Sequence, residues 1–174
     1  MKSRKPNRLR GYDYSKNGYY FVTICTQNLV EWFGKVENDQ MALNEYGRIV
    51  SECWHDLPNH YRNIKLDESV IMPNHVHGVV IIDNVGNGLK PFPTKYHGLS
   101  EIIRGFKTFS SRRINYKITN NRCFHWQKSF YDHVIRNENE LAFIREYILN
   151  NPKKWDLDTE NMYVWAGLKP AHTP

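Results

Sequence analysis

Residues 69–83 read SVIMPNHVHGVVIID, from Ser69 to Asp83. Two short apolar runs meet at Pro73-Asn74, and two histidines open the second. In an extended strand, residues i and i+2 point to the same face. His75 and His77 therefore stand side by side, roughly 6–7 Å apart at about 3.3 Å per residue. Two imidazoles at that spacing can share one metal ion, or can stand as a partly exposed pair hydrogen-bonded to neighbours. Val76 points the other way. Val79 and Ile81 continue the histidine face, Val80 and Ile82 the opposite one. Both faces are apolar, which marks an inner strand covered on both sides.

Ile64 to Met72 is the strand that leads into this one, with Ile64, Leu66, Val70 and Met72 alternating with polar residues. Further back, Tyr19 to Thr26 (YYFVTICT) is rich in aromatic and β-branched residues and reads as a strand. Val30 to Val36 is expected to pair back on it as a hairpin, with Gln27 and Asn28 in the turn. Leu43, Tyr46, Val50, Cys53 and Leu57 recur at three and four, the stripe of an amphipathic helix that Pro58 ends. After the histidine strand, DNVGNGLKPFPTKYHG (83–98) reads as a flexible loop. Ser100 to Ile114 is a second amphipathic helix, with Leu99, Ile102, Ile103, Phe106 and Phe109 as its buried stripe. Phe124 to Ile135 is extended and carries His125, Tyr131 and His133. Asn137 is an N-cap with Glu140 in capping-box position, opening a helix from Glu138 to about Asn151, where Pro152 stops it. Leu141, Ile144 and Ile148 are its apolar stripe. The order β, α, β, β, α, β with a closing helix predicts an α+β fold: a ferredoxin-like antiparallel sheet with packed helices.

The 174 residues suit one domain, 1–174, with a basic N-terminal arm (1–18) and a C-terminal tail (156–174). No apolar run approaches the ~20 residues of a membrane helix, so no membrane partner is expected. Cys25, Cys53 and Cys123 are odd in number and widely spaced, which argues against a disulfide framework or a zinc ribbon. The net charge of +6 favours a polyanionic partner. Lys5, Arg8 and Arg10 in the arm, and Arg104, Lys107, Arg112 and Arg113 on the second helix, are the candidate phosphate contacts. A solvated terminus and a solvated helix face are the plainer readings of the same residues.

On the last helix Tyr147 and Asn151 are i and i+4, neighbours on one face. The wording MPNHVHGVVII closely resembles the HUH motif of the single-tyrosine transposases of small bacterial insertion sequences. The run WQKSFYDHVIRNENELAFIREYILNNPKKW (126–155) resembles the C-terminal half of the REP-associated tyrosine transposase branch. There a tyrosine, an isoleucine, two variable residues and Asn-Pro end the catalytic helix, and Tyr147 to Pro152 fits that pattern. Similarity runs from about Gly11 to Trp165.

The resemblance implies that Tyr147 is the nucleophile and that His75, His77 and Asn151 hold a divalent metal ion, Mg²⁺ or Mn²⁺. It further implies single-stranded or hairpin DNA as the partner, a cytoplasmic bacterial location, and action as a monomer or a homodimer. Two other readings stay open on the residues: a metal-dependent hydrolase using the histidines with Asp67 or Glu68, and a non-catalytic module gripping single-stranded nucleic acid. Tyr131, beside Asp132 and His133, is the rival nucleophile.

Overall fold

In chain order the described residues form β1 (Gly18–Cys25), a 3-10 turn (Gln27–Leu29), β2 (Gly34–Glu37), β3 (Gln40–Leu43) and α1 (Glu45–His55). The short α2 (Leu57–His60), β4 (Ile64–Met72), β5 (His75–Ile82), α3 (Leu99–Lys117), β6 (Tyr131–Ile135) and α4 (Glu138–Asn150) follow. The coordinates are a computed structural model that describes residues 11–84, 97–120 and 122–155. Lys5, Arg8 and Arg10 of the basic arm, most of the 83–98 loop and the 156–174 tail lie outside the described residues.

The main sheet has the order β4-β5-β1-β6, and every neighbouring pair is antiparallel. With the β2–β3 hairpin and α2 set aside, this is the β-α-β-β-α-β plan of the ferredoxin-like fold, closed by an extra helix. The α+β expectation holds. β1 and β5 lie in the middle because both their faces are apolar, which only an inner strand can use. On one face Tyr20, Val22, Ile24, Val76 and Val80 pack under α1 and α3, against Val50, Trp54, Ile102, Ile103 and Phe106. On the other, Phe21, Val79 and Ile135 meet Leu141, Ile144 and Ile148 of α4. The histidines of β5 belong to this second face.

Four sequence expectations change. β2 does not pair with β1, because β5 and β6 already occupy both edges of β1. It pairs with β3 instead, through a two-residue turn at Asn38-Asp39, both at positive φ (50° and 61°), as hairpin turns of the primed type require. The first helix begins after Asn44, whose side chain accepts from Gly47 N at 2.9 Å. Leu57 and Pro58 belong to α2, with the proline in its first turn. β4 carries a bulge: Leu66 pairs with Val80 and Ser69 with Gly78, so Asp67 and Glu68 together oppose Val79. The extra residue sends Ile64 and Leu66 to the α1/α3 face but Val70 to the α4 face. Finally, α3 extends to Lys117, and Phe109 is 47% exposed on its shoulder, stacked on His60. Ser110 takes the buried slot, donating to Phe106 O at 2.7 Å and accepting from Trp126 Nε1 at 3.0 Å.

Gly78, next to the histidine pair, lies flat under the indole of Trp54. A Cβ there would come within 2.3 Å of the ring. Gly78→Ala should therefore lower stability by about 1–3 kcal/mol through overpacking. Urea unfolding measures the loss, and adding Trp54→Phe should recover part of it.

Candidate active site

Pairing within the sheet places both histidines. β5 turns His75 and His77 to the α4 face, where they are 5% and 3% exposed. Their Nε2 atoms lie 3.0 Å apart, with ring planes inclined at 68°. Each ring is held from behind through Nδ1. His75 Nδ1 is 2.7 Å from Asn74 Oδ1, and Asn74 in turn donates to Leu29 O at 3.1 Å. An amide oxygen can only accept, so His75 carries its proton on Nδ1 and presents an Nε2 lone pair. His77 Nδ1 is 2.8 Å from Thr23 Oγ1, on the β1 residue registered directly opposite. Phe21, also on β1, stacks on the His77 ring at 5.4 Å.

α4 closes the site from above. Its N-terminus is fixed by a variant of the expected capping box: Asn137 accepts from Glu140 N, while Glu140 reaches past the cap and accepts from Arg136 N at 2.7 Å. Glu140 also meets His133 at 2.7 Å. The stripe of Leu141, Ile144 and Ile148 seats the helix, and Tyr147 stands on the shoulder of that stripe. Its hydroxyl is 3.3 Å from His77 Nε2 and its ring packs edge-on to His77 and Phe21. Asn151 caps the helix one turn later, 2% exposed. Its side chain sits against His75, and its Nδ2 has no partner among the described residues. Trp155 lies beside His75, ring centroids 6.0 Å apart.

The structure thus brings together four of the sequence candidates: His75, His77, Tyr147 and Asn151. Thr23, Asn74, Phe21 and Trp155 join them. Only Asn74 carried a local signal, as the residue preceding the pair; Thr23 is found only once the strand register is known. Burial pushes His75 down to about 4. Burial first, and then the neighbouring His75, lowers His77 well below the ordinary histidine range. Both rings are therefore neutral near pH 7. Two neutral imidazole nitrogens beside an amide suit a divalent ion that accepts mixed nitrogen and oxygen ligands. Asp67, a carboxylate considered as third ligand, is instead bound by Arg145 at 2.6 and 2.7 Å. Among the described residues, no three His, Cys, Asp or Glu side chains stand together as a metal site.

Other candidates fall elsewhere. Tyr131 is half-buried on the α4 face, opposite Thr23, and His125 is exposed. α3 sits in the helix layer on the far side of the sheet from the histidines. Lys107 donates to the carbonyls of Gln127 (2.9 Å) and Ser129 (2.8 Å), and Arg113 pairs with Glu52 of α1. Arg104, 3.8 Å from Glu101, and Arg112 are exposed.

Fold and site define an α+β protein whose sheet presents an imidazole pair to a tyrosine-bearing helix. The chain belongs to the IS200-like transposase family, whose sequence profile matches residues 16–151. It is 36% identical over 170 residues to an uncharacterised protein of Haemophilus influenzae, covering 92% of this chain and 93% of that one. A second Haemophilus influenzae protein, named as a candidate REP-associated tyrosine transposase, is 24% identical over 146 residues (82% and 74% of the two chains). Among solved structures, a REP-associated tyrosine transposase bound to a REP hairpin has a similar fold, at TM-score 0.57 and 20% identity. That match covers 85% of this chain and 73% of the other. The family resemblance read from the two motifs is borne out.

His75 gives a pH prediction. Its pKa is about 4 in the fold, against about 6.5 unfolded. The unfolded chain takes up the proton first, so this contribution to stability is complete above pH ~6.5 and is lost as pH falls towards 4. With chelator present, unfolding free energy should drop by on the order of 3 kcal/mol across that window from this ring. His75→Gln should flatten that part of the profile in urea titrations at successive pH values.

Proposed function

We propose that this chain cuts and rejoins single-stranded DNA through a covalent 5′-phosphotyrosine on Tyr147. The observation that carries the reading is the Tyr147 hydroxyl, 3.3 Å from His77 Nε2, on the same helix that brings Asn151 to His75. Nucleophile and amide are fixed relative to each other by one turn of helix, and both converge on the imidazole pair. Membership of the transposase family supports the same chemistry.

In the proposed reaction, Tyr147 Oη attacks the scissile phosphorus and the bond from phosphorus to the 3′ oxygen breaks. The phenol's proton ends, in the net reaction, on the released 3′-hydroxyl. The phosphotyrosine conserves the bond energy, so a second 3′-hydroxyl can displace the tyrosine and reseal the strand without ATP. His75, His77 and Asn151 are the residues to hold a divalent ion, Mg²⁺ or Mn²⁺, which when bound supplies Lewis-acid polarisation of the phosphate. Asn74 and Thr23 keep the two rings aimed, as groups behind ligating histidines do. Burial keeps both rings neutral and able to ligate.

The substrate we propose is hairpin-forming repeat DNA with single-stranded flanks, by analogy with the REP hairpin bound in the structural relative. Arg104, Arg112 and the arm residues Lys5, Arg8 and Arg10 are the proposed phosphate contacts. Lys107 and Arg113 already have partners within the chain and contribute less. Residues 1–174 act as one transposase domain, monomeric or homodimeric, in the cytoplasm beside its DNA. Among the described residues no helix is long and apolar enough to cross a membrane.

The test is incubation with a labelled hairpin oligodeoxynucleotide carrying single-stranded flanks and Mg²⁺ or Mn²⁺, then a denaturing gel. Wild type should give a covalent adduct. Tyr147→Phe should give none while DNA affinity stays within about twofold, since one hydroxyl alone is removed. Tyr131→Phe should retain substantial cleavage. An adduct formed by Tyr147→Phe, or cleavage by the His75→Ala/His77→Ala double variant, would overturn the reading. Affinity should also fall steeply with salt, because counterion release dominates phosphate contacts.

A further inference from the structure

α4 rests on the sheet through Leu141, Ile144 and Ile148. Such contacts are non-directional: they hold the helix down but do little to fix its rotation or its position along its axis. Yet a displacement of about 1 Å at a reacting group costs on the order of a hundredfold in rate. His133–Glu140 ties the first turn. The second half, which carries Tyr147 and Asn151, meets a different device. Arg145 Nε donates to Asp67 Oδ1 at 2.7 Å and Arg145 Nη2 to Asp67 Oδ2 at 2.6 Å. Two parallel bonds between a planar guanidinium and a carboxylate fix direction as well as distance.

Asp67 is also held from its own strand. Its Oδ1 accepts from Glu68 N at 2.8 Å, and its side chain is only 13% exposed. It stands in the β4 bulge, where Asp67 and Glu68 together oppose Val79. The bulge does two things at once. In a regular strand residues three apart lie on opposite faces, so an unbroken β4 with Asp67 towards α4 would turn Val70 away from it. With the extra residue, Asp67 reaches Arg145 while Val70 still packs beneath the helix.

We propose that the Asp67–Arg145 pair is a positioning clamp. It sets the rotation and axial position of α4, so that Tyr147 Oη and the Asn151 side chain arrive at His77 and His75 together. This rests on the reading of Tyr147 as nucleophile. Neither clamp residue touches the reacting atoms. Their effect passes through the helix.

The experiment uses the full chain, three single variants (Asp67→Asn, Arg145→Met and Arg145→Lys) and the Asp67→Asn/Arg145→Met double variant. The hairpin oligodeoxynucleotide is chosen from a pool with randomised flanks by adduct formation with wild type. Single-turnover adduct formation at saturating DNA should fall at least about tenfold in Asp67→Asn and Arg145→Met, with DNA affinity within about twofold. The double variant should be no slower than the slower single one, as expected of two groups acting as one unit. Arg145→Lys, which keeps the charge but not the fork, should fall between, and it carries the same readouts if Arg145→Met does not fold.

A second readout is independent of activity: the ¹³Cζ resonance of Tyr147 in tyrosine-labelled protein, assigned with Tyr147→Phe. It should shift in Asp67→Asn and in Arg145→Met. Full adduct rates with an unmoved Tyr147 signal would overturn the clamp. So would slowing in Arg145→Met alone with Asp67→Asn at the wild-type rate, because the guanidinium would then be acting on the DNA. If wild type forms no adduct, the transposase reading fails separately. The resonance still decides whether the pair seats α4: a shift in both variants upholds it, and an unmoved signal refutes it.

Discussion

Two neutral imidazoles buried with their Nε2 atoms 3.0 Å apart are the constraint on which this fold turns. Left to themselves in water, both rings would be free to rotate, and part of the population would be charged. In the fold, burial keeps them neutral, and hydrogen bonds from behind fix their planes. A buried polar group without a partner is costly, so each Nδ1 needs one: Asn74 Oδ1 for His75 and Thr23 Oγ1 for His77. Those two partners occupy the outward nitrogens and leave the inward pair for chemistry. The face must also be closed, and α4 closes it with the one tyrosine whose hydroxyl reaches His77 among the described hydrogen bonds.

The ferredoxin-like order explains why such a site can be built here. β5 and β1 are the central strands, so the histidines and Thr23 sit on strands hydrogen-bonded along both edges. The opposite face of β5 carries the main core, and Gly78 allows Trp54 to lie flat on the strand immediately after the histidine pair. The site is thus supported from beneath by α1 and α3 and loaded from above by α4. The element added from outside the sheet is the helix, which is joined to β6 by only Arg136 and Asn137. Its capping box and the His133–Glu140 pair hold that junction, and the Asp67–Arg145 fork holds the other half.

Much of this was legible in the sequence because it rests on local periodicity. His75 and His77 share a face by strand geometry, Tyr147 and Asn151 by helix geometry, and the Asn137–Glu140 cap by spacing alone. What was not legible depends on pairings between distant segments. Thr23 is an unremarkable strand threonine until the register sets it opposite His77. The β2–β3 hairpin was hidden because a strand's partner is decided by which edges remain free, and β1 had none. The bulge in β4 was hidden because alternation in the sequence is blind to an inserted residue. Ile64, Leu66, Val70 and Met72 look like one face, but the bulge puts the first two and Val70 on opposite sides. Phe109 shows a related limit: it lies at the margin of the helical stripe, where Ser110, hydrogen-bonded to Phe106 O and Trp126 Nε1, takes the interior place.

The basic residues make the same point about charge. Counting cations on α3 groups Arg104, Lys107, Arg112 and Arg113 together, but their surroundings separate them. Lys107 closes a loop by donating to the carbonyls of Gln127 and Ser129, and Arg113 staples α3 to α1 through Glu52. These two cations serve helix packing on the face of the sheet away from the histidines. On the histidine side, Arg145 would have been counted as one more phosphate contact by the same logic, and its guanidinium is instead matched prong for prong by Asp67. A basic side chain is a candidate for DNA only after the chain's own acceptors have been satisfied. By that criterion the exposed Arg112, and Arg104 with its long 3.8 Å contact to Glu101, are the cations of α3 best placed to meet an external phosphate.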